Sequence, residues 1–251
     1  METVLLQVTG ELEDFVDGDG GRSITLPLSA PRSVKDVIES AGVPHPEVAL
    51  LLVDGASVGF DHRITGGETI AAHPVSRAVD IDVPSLVAPP APEPRFVCDV
   101  HLGRLTRRLR LLGFDTWYRT DADDAELATV TVEQSRILLT RDRGLLMRRV
   151  VLHGYCPRSD DADVQATEVV RRFDLVAAIS ALTRCARCNG LVHPVDKREV
   201  VHRLPPRTRV EHDRFARCGS CGQVYWPGSH TRSIDGFVSA VRAAGAPDAE
   251  R

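Results

Sequence analysis

Residues 95–113 read Arg95-Phe96-Val97-Cys98-Asp99-Val100-His101-Leu102-Gly103-Arg104-Leu105-Thr106-Arg107-Arg108-Leu109-Arg110-Leu111-Leu112-Gly113. The first four residues are an apolar, strand-like run that ends at Asp99. From Gly103 to Leu112 the period becomes helical. Leu102, Leu105, Leu109 and Leu112 share one face, and Gly113 supplies the stop. The alternation continues downstream. Thr116-Trp117-Tyr118 is strand-like, and Asp124 to Ser135 is helical with carboxylates at its start, where the dipole favours them. Arg136 to Thr140 is a strand ending near Asp142, Val150 to Tyr155 is another followed by Asp160 and Asp161, and Val164 to Phe173 is a helix. Such alternation predicts an α/β fold: a parallel sheet with helices on both faces.

Upstream, five of the 16 prolines fall between Pro84 and Pro94, which predicts a semi-rigid extended linker. Before it, Val4 to Val8 and Ser23 to Leu26 are strand-like around an Asp17–Gly21 turn. Ser33 caps a helix that Gly42 ends, Leu50 to Val53 leads into an Asp54-Gly55 hairpin, and Thr69 to Val75 closes the unit. Strand, strand, helix, strand, strand is the order of an α+β β-grasp. Its pattern resembles the small ubiquitin-like sulfur carriers, but Gly66-Gly67 is an internal turn here, so a docking module is the better reading. The predicted organisation is a β-grasp over 1–78, a linker over 79–94, an α/β domain over 95–182, a zinc ribbon over 183–232, and a C-terminal helix and tail over 233–251. Residues 1–82 are expected to be removable without loss of the α/β fold.

In a chain of 251 residues, 43% hydrophobic and 26% charged content excludes wholesale disorder and coiled coil. No run approaches the roughly 20 apolar residues of a membrane span. Met1-Glu2-Thr3-Val4 carries no basic or apolar leader, so the expected compartment is the cytosol, where the six cysteines are reduced. The net charge of −4 is asymmetric: residues 1–94 hold 5 Lys+Arg against 15 Asp+Glu, and residues 95–251 hold 26 against 20. Only the second part suits a polyanion.

Three constellations carry chemistry. Cys185-Ala186-Arg187-Cys188 and Cys218-Gly219-Ser220-Cys221, 29 residues apart, have the spacing of a four-thiolate structural zinc site. His193, His202 and His212 are unnecessary as substitutes, and Cys98 and Cys156 lack a partner at knuckle spacing. The segment between the pairs, with Val200-Val201 and Val210, is consistent with short antiparallel strands. Asp99, Asp124, Asp142 and Asp160 or Asp161 stand at strand ends, where open α/β sheets build sites. Carboxylates without soft ligands select Mg²⁺ or Mn²⁺, although an Asp in such a place also serves as a turn or helix cap. Arg104, Arg107, Arg108 and Arg110 follow Asp99, and Arg141 and Arg143 flank Asp142, which suits a phosphate backbone or a solvated face. Residues 183–232 carry 10 Lys+Arg against 4 Asp+Glu. There Phe215, Tyr225 and Trp226 either stack bases or, the favoured reading, pack around the zinc site.

Phe96 to Leu105, Leu109 to Thr116, Asp124 with Glu126-Leu127, Ile137 to Leu146, Arg184 to Gly190 and Cys218 to His230 together resemble the Mut-seven C-terminal RNase domain family. The β-grasp is similar to the ubiquitin-like domain that precedes it in many bacterial members. The family is similar to PIN-domain nucleases, which set three or four acids around Mg²⁺ or Mn²⁺ and cleave RNA. The resemblance implies that Asp99 is the first-strand ligand, Asp124 the helix-start acid, Asp142 the third and Asp161 the fourth. Arg104, Arg107, Arg108, Arg141 and Arg143 would then hold RNA. The expected function is a metal-dependent ribonuclease with structural zinc. The alternative is a non-catalytic RNA- or ribosome-binding adaptor that recruits a protein partner through the β-grasp.

Overall fold

In the computed structural model, which describes residues 2–16, 22–75, 81–87 and 93–245, the chain divides into two units. One takes in residues 1–92 and 124–156, the other 93–123 and 157–251. The Asp17–Gly21 turn, Pro89, Pro90 and Pro92 of the linker, and the tail beyond Gly245 lie outside the described residues.

The first unit contains the expected β-grasp. Glu2–Val8 buries Val4, Leu6 and Val8 on a period of two, with Leu5 half-buried and Gln7 exposed between them. It pairs antiparallel with Ser23–Leu28 and parallel with Thr69–His73, Leu6 facing Ile24 on one side and Ile70 on the other. Thr69–His73 pairs with Leu50–Val53, which turns through Asp54 and Gly55, both at positive φ, into Ala56–Ser57. Helix Val34–Ser40 buries Val34, Val37 and Ile38 in the same core, and Ser33 caps it by accepting from the Asp36 amide at 3.1 Å.

The same unit holds helix Asp124–Glu133, the fully apolar strand Ile137–Leu139, the short helix Arg143–Leu146 and strand Gly154–Tyr155, which runs parallel to Ile137–Leu139. The strand expected over Val150–Tyr155 is therefore shorter. Val150 and Leu152 are exposed, and the Val151 amide donates to the Arg148 carbonyl in a turn. A Cβ on Gly154 would meet Leu146 Cδ2 at 2.6 Å, so the strand begins at the residue that lets the helix approach.

The core of residues 1–82 is joined by further contacts to residues 143–156. Glu47, 0% exposed, accepts the Cys156 amide at 2.6 Å, and Cys156 packs on the β-grasp core. His45 stands between Glu39 (Nδ1 to Oε1, 2.7 Å) and the Val151 carbonyl (Nε2, 2.9 Å). Arg143 donates to the Phe15 carbonyl at 2.9 Å and the Asp14 carbonyl at 3.3 Å. The linker also starts later than its prolines indicate. Ser85 donates to the Ala49 carbonyl at 2.5 Å, and Val87 is buried in the β-grasp core. These partners are polar singletons without periodicity, which is why the pattern of the sequence does not show them.

In the second unit, Arg95–Cys98 and Asp115–Trp117 pair in parallel, with helix Gly103–Leu111 as the crossover between them. Gly113, at φ +99, ends that helix, and a Cβ there would lie 2.2 Å from the Ser180 carbonyl oxygen. Phe96 meets Phe114 and Phe173 edge-on at 5.8 and 6.2 Å. Helix Ala162–Arg172 packs on helix Gly103–Leu111, and helix Ser229–Gly245 packs on Ala162–Arg172. The ribbon is a three-stranded antiparallel sheet in the order Val192–Val195, Phe215–Cys218, Val224–Tyr225. Val200-Val201 and Val210 are not in strands: Lys197–Val200 and Pro206–Glu211 are helical. Asp196 caps the first, Pro206 opens the second, and Val210 is solvent-facing while Val200 is buried. Among the described residues no helix is long and apolar enough to cross a membrane.

Candidate functional site

Two backbone knuckles build a cage of sulfur. In the first, the Cys185 amide donates to the Gly190 carbonyl at 2.8 Å and the Asn189 amide to the Cys185 carbonyl at 2.9 Å. In the second, the Cys218 amide donates to the Gln223 carbonyl at 2.9 Å and the Gly222 amide to the Cys218 carbonyl at 3.1 Å. Each turn closes on a residue at positive φ directly after its second cysteine, Asn189 at +70° and Gly222 at +71°. All four Sγ atoms lie within 4.8 Å of one another, with Cys185 to Cys221 at 3.7 Å and Cys188 to Cys218 at 3.4 Å. Four sulfurs about 2.3 Å from one tetrahedral ion stand about 3.8 Å apart, so the residues fit zinc. Among the described residues no other set of three or more His, Cys, Asp or Glu ligand atoms comes this close together.

The thiols are already divided. Burial pushes Cys188 up to about 12, helped by the sulfurs beside it. At Cys218 burial is outweighed by the backbone N–H groups of Cys221 and Ser220, which bring it down to about 7. At Cys185 the same opposition is won by the Tyr225 hydroxyl, which donates to the sulfur at 3.0 Å, and by the amides of Cys188 and Arg187. Metal binding takes all four as thiolates and releases the remaining protons.

The first knuckle is fastened to the parallel pair. Arg110, buried, donates to the Thr116 carbonyl at 3.0 and 2.8 Å and to the Ala186 and Arg187 carbonyls at 3.3 and 3.1 Å. Asn189 donates to Asp115 at 2.8 Å and accepts the Thr116 amide at 3.0 Å, while Arg184 pairs with Asp115 at 3.4 Å. Sequence reading missed Asn189 and Arg110 as supports. The signal for Asn189 was available, since it occupies in Cys188-Asn189-Gly190 the place that glycine takes in Cys221-Gly222.

The acids divide between the units. Asp99, 8% exposed, sits at the carboxyl end of Arg95–Cys98 and does not cap the turn that follows. Asp161, in the same unit, caps helix Ala162–Arg172 by accepting the Val164 and Asp163 amides at 3.1 and 2.8 Å, and these hold its carboxyl below the usual range. In the other unit Asp124 opens helix Asp124–Glu133, with Arg148 on its carbonyl at 3.1 Å and its carboxylate at 3.4 Å. Asp142 caps Arg143–Leu146 by accepting the Leu145 amide at 3.1 Å, and its own amide donates to Thr140 Oγ1 at 2.9 Å.

The arginines divide as well. Arg104, Arg107 and Arg141 are exposed. Arg108 is paired with Asp163 and lies over the Phe237 ring at 5.0 Å. Arg143 is turned into the carbonyls of Asp14 and Phe15. Phe215 is buried in the ribbon core, with Trp226 packed against it. Phe215, Tyr225, Trp226 and Pro194 form the apolar wall of a cavity of about 670 Å³, with Arg184 and Arg214 at its edge.

The family model described as the Mut7-C RNAse domain matches residues 94–238, and the model described as Mut7-C ubiquitin matches residues 1–80. The chain belongs to the Mut7-C RNase domain family. The match spans the parallel pair, all four acids and the whole cysteine cage, and membership of an RNase-domain family supports a nuclease-like role. The Mut7-C ubiquitin match coincides with the β-grasp and ends before the prolines. Neither the curated proteins nor the solved structures include a match to this Mut7-C chain.

Proposed function

We propose that the chain is a divalent-metal-dependent ribonuclease whose zinc ribbon helps to hold the RNA. The observation that carries this is Asp99. It is a buried carboxylate at the carboxyl end of a parallel strand, in a chain of an RNase-domain family. A side chain so costly to bury is kept where a charge is needed. Asp99 and Asp142 would hold Mg²⁺ or Mn²⁺, with Asp124 and Asp161 completing the acidic set; the donor chemistry, carboxylate oxygen alone, suits a hard cation. When bound, the ion supplies an activated water and charge neutralisation for phosphodiester hydrolysis.

The protein's own share is to position and grip. Arg104 and Arg107, exposed on the helix that follows Asp99, hold phosphates, and Arg141 does so beside Asp142. Arg108 and Arg143 are engaged with protein groups and act on structure instead. The ribbon adds its excess of 10 basic over 4 acidic residues.

The test is cleavage of a fluorescent single-stranded RNA as Mn²⁺ is titrated. Asp99→Asn and Asp142→Asn should each abolish turnover without lowering RNA affinity. Cleavage that persists in chelator, or an active Asp142→Asn protein, removes the metal-nuclease reading. One observation favours the adaptor: Asp142 and Asp161 both have a helix-capping task that needs no metal. RNA binding with no turnover in any divalent cation would establish it.

A further inference from the structure

Helix Arg143–Leu146 directly follows Asp142 and consists of a single turn. An isolated turn this short has no stability of its own, because nucleation costs more than its one or two hydrogen bonds return. Its position must be set from outside. On its C-terminal side the chain is anchored twice: the Val151 carbonyl meets His45 at 2.9 Å, and the Cys156 amide donates to the buried Glu47 at 2.6 Å. On its N-terminal side the anchor is Arg143. Its guanidinium spans the carbonyls of Phe15 and Asp14 at 2.9 and 3.3 Å and lies over the Phe15 ring at 5.1 Å. Gly42, at φ +92, makes room for this contact, because a Cβ there would fall 2.8 Å from the Phe15 carbonyl oxygen and 3.4 Å from Arg143 Nη1. All three anchors come from the ubiquitin-like domain, and all three grip the stretch that begins at Asp142.

We propose that the ubiquitin-like domain is a built-in part of the nuclease centre, with Arg143 as the positioning residue through which it fixes the backbone, and hence the carboxylate, of Asp142. The face formed by Phe15, His45 and Glu47 is occupied by the chain itself, so it is not a surface for a separate partner. The geometry explains why a guanidinium is used. Its planar fork reaches two carbonyls at once and stacks on an aromatic ring, which a lysine cannot do. The proposal rests on the nuclease reading of Asp142, and its test separates the two.

In the full-length protein, Arg143→Ala, Arg143→Lys and Phe15→Leu are compared with wild type by amide hydrogen exchange over residues 142–147 and by cleavage of fluorescent single-stranded RNA in Mn²⁺. Exchange should quicken by about tenfold in Arg143→Ala, the loss of hydrogen bonds of ordinary strength. Cleavage should lose about 10- to 100-fold in kcat with KM unchanged, the effect of a displaced reacting group. Arg143→Lys and Phe15→Leu, which keep part of the contact, should fall between. A rise in KM at unchanged kcat would make Arg143 an RNA-holding residue and overturn the proposal, as would unchanged exchange in Arg143→Ala. If wild type cleaves no RNA, the nuclease reading fails, and exchange still decides whether the ubiquitin-like domain holds Asp142.

Discussion

Asp142 has a capping task in the structure and a proposed metal-holding one, and different substitutions separate the two. As a helix cap it needs only an acceptor for the Leu145 amide. Asn meets that need nearly as well as Asp, whereas Ala does not. Asp142→Asn should therefore melt at close to the wild-type temperature, and Asp142→Ala should be less stable by about 1 kcal/mol; thermal melts of the two variants check this beside the cleavage assay. Glu68 gives a pH signature of the ubiquitin-like domain. Burial raises its carboxyl, but the Thr65 amide and hydroxyl and the Gly66 amide, at 2.8, 2.8 and 2.7 Å, together outweigh it and bring it down to about 2. A depressed folded-state value contributes stability that is complete above the unfolded value, 4.5, and is lost as pH falls towards 2. Glu68→Gln should be destabilising at pH 7, with the difference from wild type shrinking between pH 4.5 and pH 2; a difference that does not change with pH would show that the carboxylate is not the source.

At the scale of elements, the ribbon is small. Its buried apolar residues are Val200, Leu204, Phe215 and Val224, with Val195 and Trp226 packed alongside. A core of this size does not hold three strands by hydrophobic burial alone, and an ion held by the cysteine cage would supply the remainder. Elemental analysis of freshly purified protein should find about one zinc per chain. Chelation should abolish exchange protection over 184–226 while leaving the strand Glu2–Val8 protected. Protection of the ribbon that survives complete zinc removal would contradict the argument. Asn189 ties the first knuckle to Asp115 and Thr116, so Asn189→Ala leaves the Thr116 amide without its acceptor and should cost about 1–3 kcal/mol.

At the scale of the molecule, the β-grasp and residues 124–156 belong to one unit with shared buried groups. Deleting residues 1–82 would strip the Cys156 amide of the Glu47 carboxylate and open Cys156 to water. The remainder should lose its cooperative thermal transition or precipitate. A soluble fragment with a sharp transition would show that the α/β strands stand without their cover. RNA affinity should also fall steeply with salt, since the basic excess lies in residues 95–251, where 26 Lys+Arg face 20 Asp+Glu. Each of Arg104→Ala and Arg107→Ala should flatten the plot of log affinity against log salt by about 0.7 for single-stranded RNA.

Short-range chemistry was legible in the sequence. Apolar period marked Glu2–Val8, Arg95–Cys98 and Gly103–Leu111. The Asp54-Gly55 turn, the Gly113 stop and the two Cys-x-x-Cys knuckles were legible because turn and ligand geometry depend on residues two to four positions apart. The parallel pairing of strands followed from the same patterns. Val200-Val201 and Val210 misled because β-branched residues near a ribbon read as strand, while Asp196 and Pro206 set helices there. What only tertiary structure decided is the work of the polar side chains. Arg143 and Phe15 lie 128 residues apart, Glu47 and Cys156 lie 109 apart, and Arg110 and Arg187 lie 77 apart. A charge at such a distance leaves no periodicity at either end. Whether an arginine meets a phosphate or a buried carbonyl is settled by the packing that brings that carbonyl within reach.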